Sequence, residues 1–231
     1  RMIMKIRPSR TRGGLWIWGT AAIVYALFIS WYFNWTGPLT ETEIEESLAT
    51  LAEQRDVPES RLKMLRKFLE EDDGDEFLMQ NLIRFNSGNI VHPSTGQPAS
   101  AYEVLDSYNR PFISALFRRA GHPVIVSNKV GGYIEAWNLD AATDWELVAS
   151  MRYRSRRDMI ELVLDPQFED IHEFKTAALQ QTGAFPVHTQ MSLYLTPKIY
   201  VPILILLFAT ITHLFSKILS PRKDKLQNQP K

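Results

Sequence analysis

DWELVASMRYRSRRDMIELVLDPQFEDIHEFKTAALQQT, residues 144–182, changes its hydrophobic period once, and that change decides the fold. From Trp145 to Tyr153 the residues alternate. Trp145, Leu147, Ala149, Met151 and Tyr153 fall on one side, and Glu146, Val148, Ser150 and Arg152 on the other, as strand side chains do. Ser155 then stands where an N-cap belongs, and a helix is predicted from it through Leu164. Pro166 restarts that helix, which runs on to about Gln181.

Upstream, Glu76 to Phe85 (EFLMQNLIRF) reads as a strand ended by the turn residues Asn86-Ser87-Gly88-Asn89. A loop rich in Gly, Pro and Ser covers residues 87–100. Ala101 to Ala120 is helical, with Leu105, Tyr108, Phe112 and Leu116 on one face; Pro111 should kink it and Gly121 end it. Val124 to Val130 is a β-branched strand stopped by Gly131-Gly132, and Thr182 to His188 supplies the last strand. The order is strand, helix, strand, strand, helix, strand. That is the split βαβ of ferredoxin-like α+β folds, an antiparallel four-stranded sheet with two helices on one face.

A helical hairpin, residues 36–75, precedes the domain of residues 76–190. Thr40 and Glu43 have capping-box spacing, and Ile44, Leu48 and Leu51 form an apolar stripe. Pro58 opens the second helix, with Leu62, Leu65, Phe68 and Leu69 on one side. It ends in the acidic run Glu70-Glu71-Asp72-Asp73-Gly74, which lacks calcium-loop spacing and reads as a solvated spacer.

Two apolar runs flank all of this. Residues 15–35 hold no Asp, Glu, Lys, Arg or His, and 21 residues at about 1.5 Å each span about 30 Å, the thickness of a bilayer core. The run is longer than a signal-peptide core and ends in aromatic residues rather than a cleavage site, so it reads as an uncleaved anchor. A second run, Ile199 to Phe215, extends to 219 once Lys217 snorkels; a buried core helix is the alternative. Trp16, Trp18, Trp31, Tyr32, Trp35, Tyr194 and Tyr200 are expected at the membrane interfaces.

Charge gives an orientation. Residues 1–14 are a basic tail, and residues 220–231 are another. Residues 36–198 carry 25 acids against 16 Lys/Arg, a formal charge of −9. Both tails are therefore expected in the cytoplasm and the central domain in the periplasm, on a two-pass protein of a bacterial inner membrane. An acidic domain does not suit nucleic acid as a partner. With no cysteine, thiolate catalysis, disulfides, Cys-ligated zinc, iron–sulfur clusters and covalent c-type haem are excluded. No cofactor is expected, and no pair of histidines has metal-ligand spacing on one helix.

Three segments carry a family resemblance: MQNLIRFN (79–86), AYEVLDSYNRPFISALFRRAGHPVIVSNKVGG (101–132) and the opening stretch through Thr182. With the strand ending in Arg152-Tyr153, the Ser-led helix, Asp165-Pro166-x-Phe168 and His172, they resemble DUF1330-like members of the dimeric α/β barrel superfamily. The resemblance implies that two sheets pack face to face and close a barrel. The wider superfamily includes cofactor-independent monooxygenases, isomerases and haem-binding enzymes, so it implies no single chemistry. This chain departs from the pattern by its hairpin and apolar flanks.

Gln80, Arg84, Ser150 and Arg152 on one sheet face, with Tyr102, Tyr108, Trp137 and His172 nearby, form the candidate ligand pocket for an anionic or aromatic small molecule. The same residues also suit an interface. His213, in the second apolar run, is read as snorkelling to the interface. Arg152, Arg154, Arg156 and Arg157 form a basic patch expected to pair with acidic residues or lipid headgroups. The expected function is a non-catalytic, membrane-anchored accessory or scaffold subunit. Its external domain forms a homodimer or docks onto a larger membrane complex. A periplasmic small-molecule binder or cofactor-independent enzyme is the alternative.

Overall fold

The computed structural model describes residues 12–54, 57–138 and 144–219, so most of both basic tails lies outside the described residues. The chain is α+β. Among the described residues there are seven α-helices and a four-stranded antiparallel sheet. It divides into two units, residues 31–191 and the apolar remainder on either side.

The apolar unit contains α1 (Arg12–Tyr32) as far as Ser30, the last two residues of the helix counting with the domain, and α7 (Pro197–Leu219). Both are long and apolar enough to cross a membrane. The first begins and ends about one turn earlier than the apolar run alone suggests, and the second gains its first turn from Pro197 and Lys198. Within this unit the Trp18 and His213 rings lie 6.3 Å apart. Trp16, Tyr194 and Tyr200 are exposed.

In the other unit α2 (Glu41–Gln54) and α3 (Glu59–Glu70) form the hairpin. Thr40 and Glu43 do cap α2 reciprocally, through Glu43 N–H to Thr40 Oγ1 (3.4 Å) and Thr40 N–H to Glu43 Oε2 (2.7 Å). The hairpin is not set apart from the sheet. Ile44, Leu48 and Leu69 belong to one hydrophobic core with Phe77, Leu116, Tyr153, Ile160 and Phe168. The acidic run is likewise only partly a solvated spacer. The Asp72 carboxylate is buried and accepts the N–H groups of Leu39 (2.8 Å) and Gly74 (3.1 Å). Gly74 itself needs its φ of +79°, and a Cβ there would meet the backbone of Gly37 and Pro38 at 3.1 Å.

The sheet consists of β1 (Phe77–Phe85), β4 (His122–Asn128), β5 (Leu147–Tyr153) and β6 (Leu179–Val187), in the order β4-β5-β1-β6. The 87–100 loop contains a small hairpin not expected from its composition, β2 (Asn89–Val91) with β3 (Pro98–Ser100). Ser100 and Glu103 then cap α4 (Ala101–Arg118) reciprocally, and Pro111 lies inside that helix. Several of the expected boundaries shift: β4 runs His122–Asn128 rather than Val124–Val130, and β5 begins at Leu147 rather than Trp145. The helix predicted to run from Ser155 to about Gln181 is broken into α5 (Arg156–Val163), a 3-10 turn at Pro166–Phe168 and α6 (His172–Ala178). The last strand starts at Leu179 rather than Thr182, because Asn86 pairs with the chain there. Asn86 N–H donates to Ala178 O (2.9 Å) and its side chain to Ala177 O (2.7 Å), which leaves no partner for another helical turn.

The helices cover one face of the sheet. Phe77 and Phe85 at the two ends of β1 bury there, and Met79, Ile83, Leu147, Met151 and Tyr153 pack with α4, α5 and α6. The Phe77 and Tyr153 rings, opposite each other in register, stack at 5.3 Å. Gly121 lets α4 turn tightly into β4: a Cβ there would lie 2.7 Å from the Arg152 carbonyl. The left-handed residue at this helix end is Ala120, with φ of 57°, and not the glycine.

Candidate functional site

The face of the sheet opposite the helices is the candidate site. Side chains alternate along each strand, so Leu78, Gln80, Leu82 and Arg84 of β1 share it. Register adds Val148 and Ser150 of β5, Phe185 and Val187 of β6, and Ile125 of β4. Ser150 donates to Gln80 Oε1 at 2.5 Å, a cross-strand pair in register. Around this polar centre lie the apolar Leu78, Leu82, Val148 and Val187, with Arg84 and Ser127 on the same face, and Phe185 is 45% exposed.

The expected pocket is only partly assembled. Gln80, Ser150 and Arg84 share the open face. Arg152 belongs to the same face by alternation but is 4% exposed and fully engaged. Tyr102 stacks on Phe85 at 4.0 Å, Tyr108 on Phe112 at 5.4 Å, and His172 meets Tyr108 edge-on at 6.3 Å; all three stand on the helix side. Trp137 is 80% exposed in the loop after β4. These residues do not converge on one ligand. A cleft of about 550 Å³ lies instead between Tyr102, Lys129, Gly132, Asp144 and Trp145. Its lysine is already paired with Asp144 and lies 4.6 Å from the Tyr133 ring centre.

The arginine run binds protein. Arg152 donates to Glu76 through Nε (2.7 Å) and Nη2 (2.6 Å), to Ala120 O (2.5 Å) and to Tyr32 O (3.2 Å). Its guanidinium lies 3.8 Å from the Tyr32 ring centre. Arg154 chelates Asp158 and donates to Trp31 O at 3.0 Å. The last carbonyls of a helix have no partner inside it and carry its negative dipole end, so two arginines at the end of α1 satisfy both. Arg156 reaches Phe68 O and the buried Asp72, while Arg157 pairs with Glu43 and with Pro38 O. Four arginines within the stretch 152–157 thereby hold four separate segments of the chain.

Tyr32 was expected at a membrane interface, yet only 2% of it is exposed. Its hydroxyl contacts His122 Nε2 at 3.2 Å, and the two rings stack. Burial holds the His122 imidazole below its usual range, and the nearby Arg152 charge adds to this, against a contact with Pro123 O and the Glu76 charge. Burial likewise pushes the Tyr153 hydroxyl upward.

No family model matches the chain, and no curated protein matches it. Among solved structures it is similar to a protein of unknown function from Rhodopseudomonas palustris. That match is 18% identical with a TM-score of 0.46, covering 59% of this chain and 97% of the other. The methylated form of the same protein gives 18% and 0.46, with 60% and 96% covered.

Proposed function

We propose that this chain is a membrane-anchored, non-catalytic accessory subunit whose α+β domain associates with a partner through its open sheet face. The observation that carries the reading is the uncovered face itself. Leu78, Leu82, Val148, Val187 and the half-exposed Phe185 surround the Gln80–Ser150 pair, with Arg84 and Ser127 on the same face. Such a surface suits burial against another protein better than exposure to water. The all-antiparallel order β4-β5-β1-β6, with helices on one side, supports a ferredoxin-like βαββαβ domain of the DUF1330-like, dimeric α/β barrel type. In that arrangement the occupant is a second such sheet. Two apolar helices and the basic flanks support a two-pass protein with both ends in the cytoplasm and the acidic domain in the periplasm of a bacterial inner membrane.

The chain lacks cysteine, so one introduced thiol reports cleanly. Gln80→Cys in native membranes should give an oxidised, cross-linked species, and mild-detergent purification should retain a second protein chain. A lone, uncross-linked monomer with no co-purifying protein would refute the reading.

A further inference from the structure

We propose that the corner of the domain built from Trp31, Phe33, Phe117 and Arg118 sits in the phospholipid headgroup layer, with Arg118 bound to headgroup phosphate. The proposal rests on reading α1 as a membrane span, and it adds a lipid contact made by the domain itself.

The corner is continuous with the end of that span. The Trp31 indole N–H donates to the Arg118 carbonyl at 3.3 Å, which joins the C-terminal end of α4 to the last turn of α1. A chain of ring contacts extends the corner. Trp31 meets Tyr32 at 6.1 Å, Tyr32 meets Phe33 at 5.6 Å, and His122 stacks with both Tyr32 (6.1 Å) and Phe117 (6.5 Å). Of the inner members Tyr32 is buried and His122 half-buried, but the outer ones are not covered. Trp31, Phe33 and Phe117 all remain substantially exposed, Phe117 by 48%. A large aromatic side chain gains little from open water, whereas the headgroup region accommodates its flat amphipathic ring.

Arg118 supplies the charge that such a layer recognises. Arg119 leans towards Glu161 and Asp165, at 3.9 and 3.7 Å, and Arg152, Arg154, Arg156 and Arg157 are each paired with a carboxylate. Among the described residues, Arg118 makes no ion pair, and its side chain is exposed beside Trp31 and Phe117. A guanidinium matches phosphate geometry through paired N–H donors. Juxtamembrane arginines also gain from an anionic lipid surface. The opposite end of the sheet offers a built-in reference. β4 runs seven residues from His122, beside Tyr32, to Asn128, and the fully exposed Val130 follows. At about 3.3 Å per strand residue, Val130 lies about 20 Å or more from the corner.

The full chain, reconstituted in phosphatidylcholine vesicles with added phosphatidylglycerol, allows a direct test. Single cysteines at Ile23, Phe33, Phe117 and Val130 would carry a nitroxide, and collision rates with oxygen and with a water-soluble nickel complex would be compared. The oxygen-to-nickel ratio at 117 and 33 should be several-fold above that at 130 and nearer that at 23. In Arg118→Glu protein the ratio at 117 should fall towards that at 130. A water-like ratio at both 117 and 33, with 23 lipid-like, overturns the corner contact and leaves the span intact. A water-like ratio at 23 overturns the span reading itself. An unchanged ratio at 117 in Arg118→Glu protein overturns the phosphate contact. Two reporters at the corner guard against one substitution disturbing the fold.

Discussion

Replacing Arg152 by methionine removes a guanidinium that is almost wholly buried while keeping most of its aliphatic stem. One Glu76 carboxylate oxygen loses two donors, and the carbonyls of Ala120 and Tyr32 lose one each. Removing one member of a buried ion pair costs about 3–5 kcal/mol. Glu76 keeps 32% of its side-chain surface in water, so hydration recovers part of its loss and favours the lower end. The expected destabilisation is therefore about 3 kcal/mol. Glu76→Gln in the same chain removes the stranded charge, so the double variant should lose less than the two single losses together, by about 1–3 kcal/mol. Urea unfolding of the detergent-solubilised full chain, with the folded fraction read by pulse proteolysis, measures all four proteins. A loss under about 1 kcal/mol for Arg152→Met, or strict additivity in the cycle, would refute the reasoning.

Glu43 is held down to about 2, first by its bond from Arg157 and then by bonds from the Thr40 backbone and hydroxyl. Its contribution is complete above the ordinary carboxylate value and is lost as pH falls through about 2; Glu43→Gln should flatten acid unfolding curves over that window. His122 titrates with the same sign for a different reason. Its lowered value means the unfolded chain binds the proton more readily, so stability should fall as pH drops below the ordinary histidine value. His122→Gln should remove that step in urea midpoints measured between neutral and mildly acidic pH. Leu69→Ala, at a side chain with no exposure, should cost about 2–5 kcal/mol in the same unfolding assay; a loss near zero would place the hairpin outside the core. Gly121→Ala should destabilise strongly, because the new Cβ meets the Arg152 carbonyl and the Leu116 side chain; an unchanged midpoint would contradict the tight turn.

Periodicity made much of the fold legible. Alternation in residues 145–153 marks β5, and the Thr40–Glu43 and Ser155 caps mark two helix starts, because each signal is local. The break after Leu164 was less legible. There Asp165 accepts the Gln167 N–H at 3.2 Å and starts a separate turn, while pairing at Asn86 ends the following helix. Such outcomes depend on contacts with distant strands. The candidate site divides in the same way. Gln80 and Ser150 could be placed together from alternation, but the role of Tyr32 could not. An aromatic residue at the end of an apolar run looks the same in sequence whether lipid or a buried guanidinium meets it. The arginines at 152, 154, 156 and 157 find partners 120, 123, 88 and 114 positions away, at a distance no spacing rule reaches.

Those separations set an order for biosynthesis. At about 5–20 residues per second, the end of α1 emerges some 6–25 seconds before the arginines that will occupy its carbonyls. Through that interval Ile44, Leu48 and Leu69 have no sheet to pack against, and Asp72 has no guanidinium to face. Contacts this far apart in sequence close late, since the intervening chain must first be ordered. The RYRSRR segment therefore acts as the closing stitch of the domain. A nascent chain halted before residue 152 would hold a formed apolar helix and an unfinished hairpin with its apolar stripe uncovered.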